Sequence, residues 1–145
     1  DQLPHLSQEV TATTVVLGAL AARDWRPMHH DYRFATERNG LPDIFLSTPN
    51  NAAWFERYIE DWAGPASRLG RITFRMKASV FAGDTMVFRG AVRGVETDLT
   101  GCGWVWLDVT VSVGERLCTV CEARVALPTA PDDNPWSRRA ERWQP

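Results

Sequence analysis

Lysine is almost absent from this chain, because Lys77 is the only one and the other basic side chains are arginines. The 16 basic residues are balanced by 18 acidic ones, which gives a formal net charge of −2. No long basic run is present either. This charge pattern gives no reason to expect nucleic acid as a partner.

Long apolar stretches are also missing from the sequence. No apolar run approaches the roughly 18 residues that a membrane-spanning helix needs, so we expect no membrane span. The first residues lack a basic start followed by an apolar core, and we therefore expect no signal peptide.

Cysteine is scarce, with Cys102, Cys118 and Cys121 as the whole set. Cys118 and Cys121 have the spacing of half a metal or redox motif, but they fall in a predicted strand, where residues three apart face opposite sides. No second Cys/His pair at zinc-ligand spacing accompanies them. We expect no metal site and no disulfide, and we predict free thiols in a reducing cytoplasm.

The 145 residues fit one domain whose pattern changes along the chain. Residues 10–16 are rich in Thr and Val and predict a strand, and residues 28–38 predict a short helix. Ser47 or Thr48 is a good N-cap before Pro49, which suits a first helical turn. Apolar residues then recur at helical spacing up to Gly64, which predicts one long helix with a broad apolar face.

After Pro65 the pattern is that of β-strands, because apolar and polar residues alternate over four segments. The predicted strands cover residues 72–80, 85–95, 104–113 and 117–127. One antiparallel sheet curved around one long helix is an α+β fold of the hot-dog type, and its exposed edge strand can be paired by dimerisation. We assign residues 1–127 to this domain. Residues 128–145 form a C-terminal tail that we expect to be mostly mobile, unless Trp136 and Trp143 dock on the domain or a partner.

Asp24 and His29 are the residues with the clearest chemical potential. On an unbroken helix, side chains five residues apart diverge by about 140°. Pro27 lies between them and disfavours helix at Arg26, so the chain bends there. A bend of this kind can aim both side chains at one point, which predicts an acid/base pair.

This segment resembles the signature of the MaoC-like (R)-specific enoyl-CoA hydratases. The matching residues are Asp24, Pro27, Met28, His29 and Ala35. Arg26 departs from the family, which usually has Asn at that position. Five further runs look like the small subunits of actinobacterial steroid-side-chain enoyl-CoA hydratases: residues 22–24, 29–31, 43–45, 57–58 and 61–65.

The resemblance implies a hydro-lyase that adds water in a syn manner to an α,β-unsaturated acyl-CoA thioester. Asp24 and His29 would share the proton transfers, and a backbone N–H near Ser47 and Thr48 would face the thioester oxygen. It also implies a second hot-dog chain as partner, with a homodimer as the alternative, and a bulky steroid side-chain enoyl group as substrate. No cofactor is implied beyond the CoA or carrier protein that holds the thioester.

Several alternatives stay open at this point. Four side chains are candidates for the acyl pocket and equally for the core: Trp25, Met28, Phe45 and Trp54. The activity could instead be that of a (3R)-hydroxyacyl dehydratase on a polyketide or fatty-acyl thioester, a hot-dog thioesterase using Glu56, Glu60 or Asp61, or a non-catalytic partner subunit. His30 is expected to be structural, and the division of roles between Asp24 and His29 is left undecided.

Overall fold

Residues 1–145 are all described by the computed structural model, which contains five strands, two α-helices and four short helical turns. The strands are β1 (Leu6–Glu9), β2 (Arg68–Met76), β3 (Thr85–Thr97), β4 (Gly103–Val113) and β5 (Arg116–Leu127), and the α-helices are α1 (Ala12–Ala21) and α2 (Thr48–Ala63). The short turns are Pro27–His29, Phe34–Arg38, Pro135–Ser137 and Ala140–Arg142. All neighbouring strands are antiparallel, in the order β1-β3-β4-β5-β2. No helix has the length and apolar character that crossing a membrane requires.

Helix α2 begins and ends where the sequence chemistry predicts. Ser47 is its N-cap, and the Ser47 hydroxyl accepts the N–H of Asn50 at 3.4 Å. Gly64 ends the helix with a φ of 84°, a conformation that glycine adopts without strain. Phe55 and Ile59 are buried in the main core, and the Phe55 ring lies edge-on to Phe88 of β3 at 5.3 Å. One sheet packed on one long helix is the predicted α+β hot-dog arrangement.

The strand predicted over residues 10–16 is wrong, because this stretch belongs to α1. Thr11 caps the helix, and its hydroxyl accepts the N–H of Thr14 at 3.1 Å. Val15 and Ala19 are buried on one side of this helix. Their packing overrides the preference of Thr and Val for β-strands. The first strand lies earlier, at Leu6–Glu9, where it pairs with β3.

The single helix predicted over residues 28–38 is also wrong. The chain forms a 3₁₀ turn at Pro27–His29 and a π-helical turn at Phe34–Arg38. Between them, the Asp31 carboxylate accepts the N–H of Phe34 at 3.0 Å and starts the second turn. His29 therefore lies at the end of a short turn that follows directly from the proline.

The four predicted strands after Pro65 are present, but the first of them lies four residues earlier than the predicted 72–80, at Arg68–Met76. β2 ends at Met76, because the N–H groups of Lys77 and Ala78 both bond to the carbonyl of Cys118, at 2.8 and 3.1 Å. That carbonyl lies at a bulge in β5, where Thr119 opposes Val111 but Leu117 opposes Ser112. The bulge also corrects the expectation that Cys118 and Cys121 face opposite sides, since both lie in the main core as free thiols.

Residues 128–145 pack on the sheet away from the main core. Trp143 joins a second cluster formed by Cys102, Trp104 and Ala126, and its ring centroid lies 5.0 Å from that of Trp104. Arg138 is only 5% exposed and donates hydrogen bonds to the carbonyls of Thr100 and Gly101. In this structure the C-terminal segment is therefore docked on the domain, which is the alternative to the expected mobile tail.

Candidate active site

Asp24 lies just beyond the end of α1. Its N–H donates to the carbonyl of Ala19 at 2.9 Å, which keeps the chain close to the helix. Arg23, immediately before it, has a φ of 53° and so reverses the chain direction in a left-handed conformation. The Asp24 side chain is 10% exposed. The local fold thus holds this carboxylate against the protein instead of in open solvent.

His29 is buried at the end of the Pro27–His29 turn, with 3% of its surface exposed. Its Nδ1 atom lies 2.8 Å from the carbonyl oxygen of Phe45, and the two rings pack edge to face at 4.7 Å. Because a carbonyl oxygen can only accept, Nδ1 carries the hydrogen of this bond. The neutral imidazole therefore has its lone pair on Nε2.

The two side chains meet across a short gap, with 3.6 Å between His29 Nε2 and Asp24 Oδ2. This distance is too long for a good direct hydrogen bond. A water molecule placed about 2.8 Å from each atom would bond to both. The structure thus brings Asp24 and His29 together, and their arrangement is able to hold and polarise one water.

Arg26 completes the arrangement through a contact that the sequence did not predict. Its Nε and Nη2 atoms donate to Oδ1 and Oδ2 of Asp24 at 2.9 and 2.7 Å. These side-chain hydrogen bonds hold the pKa of Asp24 at about 2, against the opposite effect of burial. Asp24 is therefore a carboxylate at neutral pH. The available signal was an arginine two residues after the aspartate, inside a bend.

The N-terminus of α2 offers free backbone donors. The N–H groups of Ser47 and Thr48 have no acceptor among the hydrogen bonds of the protein, and Pro49 has no N–H to give. The next N–H, that of Asn50, is taken by the Ser47 hydroxyl. Unpaired N–H groups and the helix dipole favour negative charge at such a position. Phe45, which holds His29, precedes Ser47 by only two residues.

The four predicted pocket residues do not all lie beside the Asp24–His29 pair. Phe45 contacts His29, and its N–H donates to the carbonyl of Met28 at 3.4 Å. Trp25 is 63% exposed, and its carbonyl lies 3.2 Å from Nε2 of His30, which gives that second histidine a structural contact. Trp54 lines a groove of about 400 Å³ between α1 and α2, whose lining contains neither Asp24 nor His29.

The main clefts of the chain lie away from the pair. A cleft of about 570 Å³ lies on the sheet, between strands β2, β3, β4 and β5, and neither Asp24 nor His29 lines it. No group of three or more His, Cys, Asp or Glu side chains is arranged to hold a metal ion. The larger clefts of the single chain are therefore not lined by the Asp24–His29 pair.

Comparison with known proteins relates the chain to a family, although no family model matches it. The β subunit of 3-oxo-4,17-pregnadiene-20-carboxyl-CoA hydratase from Mycobacterium tuberculosis is 36% identical over 97 residues, which are 67% of this chain and 74% of that protein. The crystal structure of the ChsH1-ChsH2 complex from Mycobacterium tuberculosis superposes with a TM-score of 0.81 at 29% identity, covering 88% of this chain and 96% of that chain.

A second similar structure is the (R)-hydratase of A. caviae involved in PHA biosynthesis, with a TM-score of 0.78, 23% identity, and coverage of 88% of this chain and 95% of that chain. At this identity the likeness shows the hot-dog fold alone. The stronger relationship to a hydratase subunit extends over two thirds or more of both proteins. The chain therefore belongs to the MaoC-like enoyl-CoA hydratases, a family of hydro-lyases.

Proposed function

We propose that this chain hydrates an α,β-unsaturated acyl-CoA thioester and that Asp24 and His29 are its acid/base pair. The observation that carries the proposal is the 3.6 Å approach of Nε2 and Oδ2, which leaves room for one shared water. The bend at Pro27 brings the two side chains together at the site where the family motif has its Asp and His. His is well suited to this role, because its unperturbed pKa of about 6.5 is close to working pH.

The reaction has a simple balance. The water oxygen forms a bond to the β-carbon as one water O–H bond breaks, and the pair takes that proton. The electrons of the C=C bond move towards the thioester oxygen and return as the α-carbon accepts a proton from the pair. Because one pair of groups serves both carbons, H and OH are added to the same face, which is syn addition.

The negative charge on the thioester oxygen needs a donor during this reaction. The free N–H groups of Ser47 and Thr48 support this role, since they stand at the start of α2 beside the segment that holds His29. One preorganised donor of this type is typically worth about 10²–10³ in rate. Thr48 is exposed whereas Ser47 is fully buried, so we assign the oxyanion contact to the N–H of Thr48.

A second hot-dog chain is the proposed partner. β2 is an edge strand of nine residues, whereas the opposite edge strand, β1, has four. A long free edge of this kind is suited to pairing with another chain. The similar structure is a complex of ChsH1 and ChsH2, which favours a hetero-oligomer over a homodimer. The partner would also supply a wall of the acyl pocket, since the larger clefts of the single chain are not lined by Asp24 or His29.

The proposed substrate is a bulky steroid side-chain enoyl-CoA. The similar M. tuberculosis subunit belongs to an enzyme named for 3-oxo-4,17-pregnadiene-20-carboxyl-CoA, and this name supports the same class here. No cofactor is proposed beyond the CoA of the thioester. The three free cysteines fit the reducing cytoplasm that we propose as its location.

The test is an assay of the chain together with the hot-dog protein that co-purifies with it from its host. We expect the ultraviolet absorbance of a steroid side-chain enoyl-CoA to fall in the presence of both chains, without release of free CoA thiol. A smaller straight-chain enoyl-CoA measures the preference for bulk. Thiol release without loss of the double bond would contradict the proposal and indicate a thioesterase. Glu56, Glu60 and Asp61, the carboxylates available for that alternative, are all exposed.

A further inference from the structure

Arg26 is bound to Asp24 of the proposed active site by three hydrogen bonds, although its own side chain is 62% exposed. It reaches Asp24 through three donors. The backbone N–H and Nε of Arg26 donate to Oδ1 at 3.3 and 2.9 Å, and Nη2 donates to Oδ2 at 2.7 Å. A guanidinium is the only side chain that offers such a planar, two-pronged contact to a carboxylate.

The contact with Arg26 leaves one acceptor position of the Asp24 carboxylate free. Each carboxylate oxygen has about two lone-pair positions. Both positions of Oδ1 are taken by Arg26, and so is one position of Oδ2. The remaining acceptor position belongs to Oδ2, the oxygen that lies 3.6 Å from Nε2 of His29. A water bound by Asp24 is thereby directed to His29.

We propose that Arg26 is a positioning residue that keeps Asp24 ionised and turns its one free acceptor position towards His29. The proposal rests on the proposed hydratase function of the pair. It divides the roles within that pair: Asp24 orients the water as a permanent anion, and Nε2 of His29 takes the proton from water and delivers it to the α-carbon. The family usually has Asn at this position, and an amide cannot supply the same charge or the same fork.

The charges around Asp24 are consistent with its proposed role as a permanent anion. Arg26 and His29 are the two cationic or titratable groups in contact with it, and the hydrogen bonds of Arg26 are the main cause of its low pKa, about 2. Without the Arg26 guanidinium, burial would be opposed only by the backbone N–H of residue 26 and by His29, so the pKa of Asp24 would be higher than in the intact protein. The exposed guanidinium is not part of the core, so its replacement should leave the fold intact.

The first test needs no substrate and is therefore independent of the proposed function. The Asp24 carboxyl carbon is followed by NMR during an acid titration, with Asp24→Asn to identify its signal. In the wild-type protein we expect the signal to stay that of a carboxylate down to the lowest pH at which the fold persists. In Arg26→Gln we expect it to titrate at a clearly higher pH. Equal titration in both proteins would overturn the proposal.

The second test measures kcat and KM of the complete two-chain enzyme. We expect Arg26→Gln to lower kcat by about ten- to a hundred-fold with little change in KM, the range expected when charge-assisted hydrogen bonds to a working carboxylate are lost. Arg26→Lys should recover part of kcat, because it restores the charge without the fork. Arg33→Gln is the matched control, since Arg33 is 81% exposed and pairs only with Glu37. A raised KM with unchanged kcat would instead make Arg26 a substrate-binding residue and overturn the proposal.

Discussion

Nδ1 of His29 lies 2.8 Å from the carbonyl oxygen of Phe45. This hydrogen bond has two consequences for the site. It places the lone pair of the neutral imidazole on Nε2, towards Asp24, and it ties the imidazole to the segment that enters α2. His29 and the free N–H groups of the helix terminus are thus held by one short piece of chain.

The two neighbouring histidines provide a matched comparison. We expect His29→Gln to lower kcat by about 10²–10⁴, the usual contribution of a general acid/base group. His30→Gln should leave kcat almost unchanged, because His30 contacts only the carbonyl of Trp25. The measurement is the rate of enoyl absorbance loss with the complete enzyme, after circular dichroism has shown that both variants fold. Similar rates in the two variants would contradict the role of His29.

The backbone donor at Thr48 is tested by a substitution that removes its N–H without breaking the helix. Thr48 is the first residue of α2, where proline is well tolerated, and Ser47 before it has extended angles that suit a residue preceding proline. We expect Thr48→Pro to lower kcat by about 10²–10³, since one oxyanion donor is lost. Thr48→Ala keeps the N–H and is the control. An undiminished kcat in Thr48→Pro would exclude this N–H from the reaction.

The elements governed by local chemistry could be predicted from the sequence. Apolar residues in phase located β3, β4 and β5, and the Ser47 cap and Gly64 located α2, because each of these signals acts over a few residues. Residues 10–16 were misassigned since their β propensity is a weak preference that the Thr11 cap and the burial of Val15 override.

The candidate site likewise has one part that the sequence predicts and other parts that it does not. The bend at Pro27 predicted that Asp24 and His29 converge, and they do. The Phe45 carbonyl that fixes the His29 tautomer lies 16 residues further along the chain, so no local pattern could reveal it. The bidentate contact of Arg26 depends on side-chain rotamers, which the sequence does not specify. The position of Trp54 in the groove between α1 and α2 likewise depends on how the two helices pack.

Two adjacent arginines in the C-terminal segment should differ sharply in their effect on stability. Arg138 is 5% exposed, bonds to the Thr100 and Gly101 carbonyls, and pairs with Asp133 at 3.2 Å. We expect Arg138→Gln to lower the free energy of unfolding by about 3 kcal/mol, because it breaks a buried ion pair and strands several acceptors. Arg139 is exposed, so Arg139→Gln should change it by less than about 0.5 kcal/mol. Urea unfolding measures both, and equal effects would contradict the docking of this segment.

Asp98 should make the stability of the protein depend on pH in the acid range. Burial acts to raise the pKa of this carboxyl, but its hydrogen bonds outweigh that effect and hold the pKa well below its usual range. Oδ1 accepts from the N–H and hydroxyl of Thr100 and from the N–H of Cys102, and Oδ2 accepts from the indole N–H of Trp104 at 2.8 Å.

Because the pKa of Asp98 is lower in the folded than in the unfolded state, its stabilisation is complete above the unfolded value of about 3.9 and is lost as the pH falls below it. Asp98→Asn should therefore lower the free energy of unfolding at pH 7 and flatten its decline between about pH 4 and pH 2. Asn keeps an acceptor for Thr100 and Cys102 but presents an N–H₂ to the Trp104 indole, which leaves two donors facing each other. Asp132→Asn, at an exposed position, is the control. Urea unfolding at a series of pH values tests this, and parallel pH curves for wild type and Asp98→Asn would show that the carboxylate is not what links stability to pH.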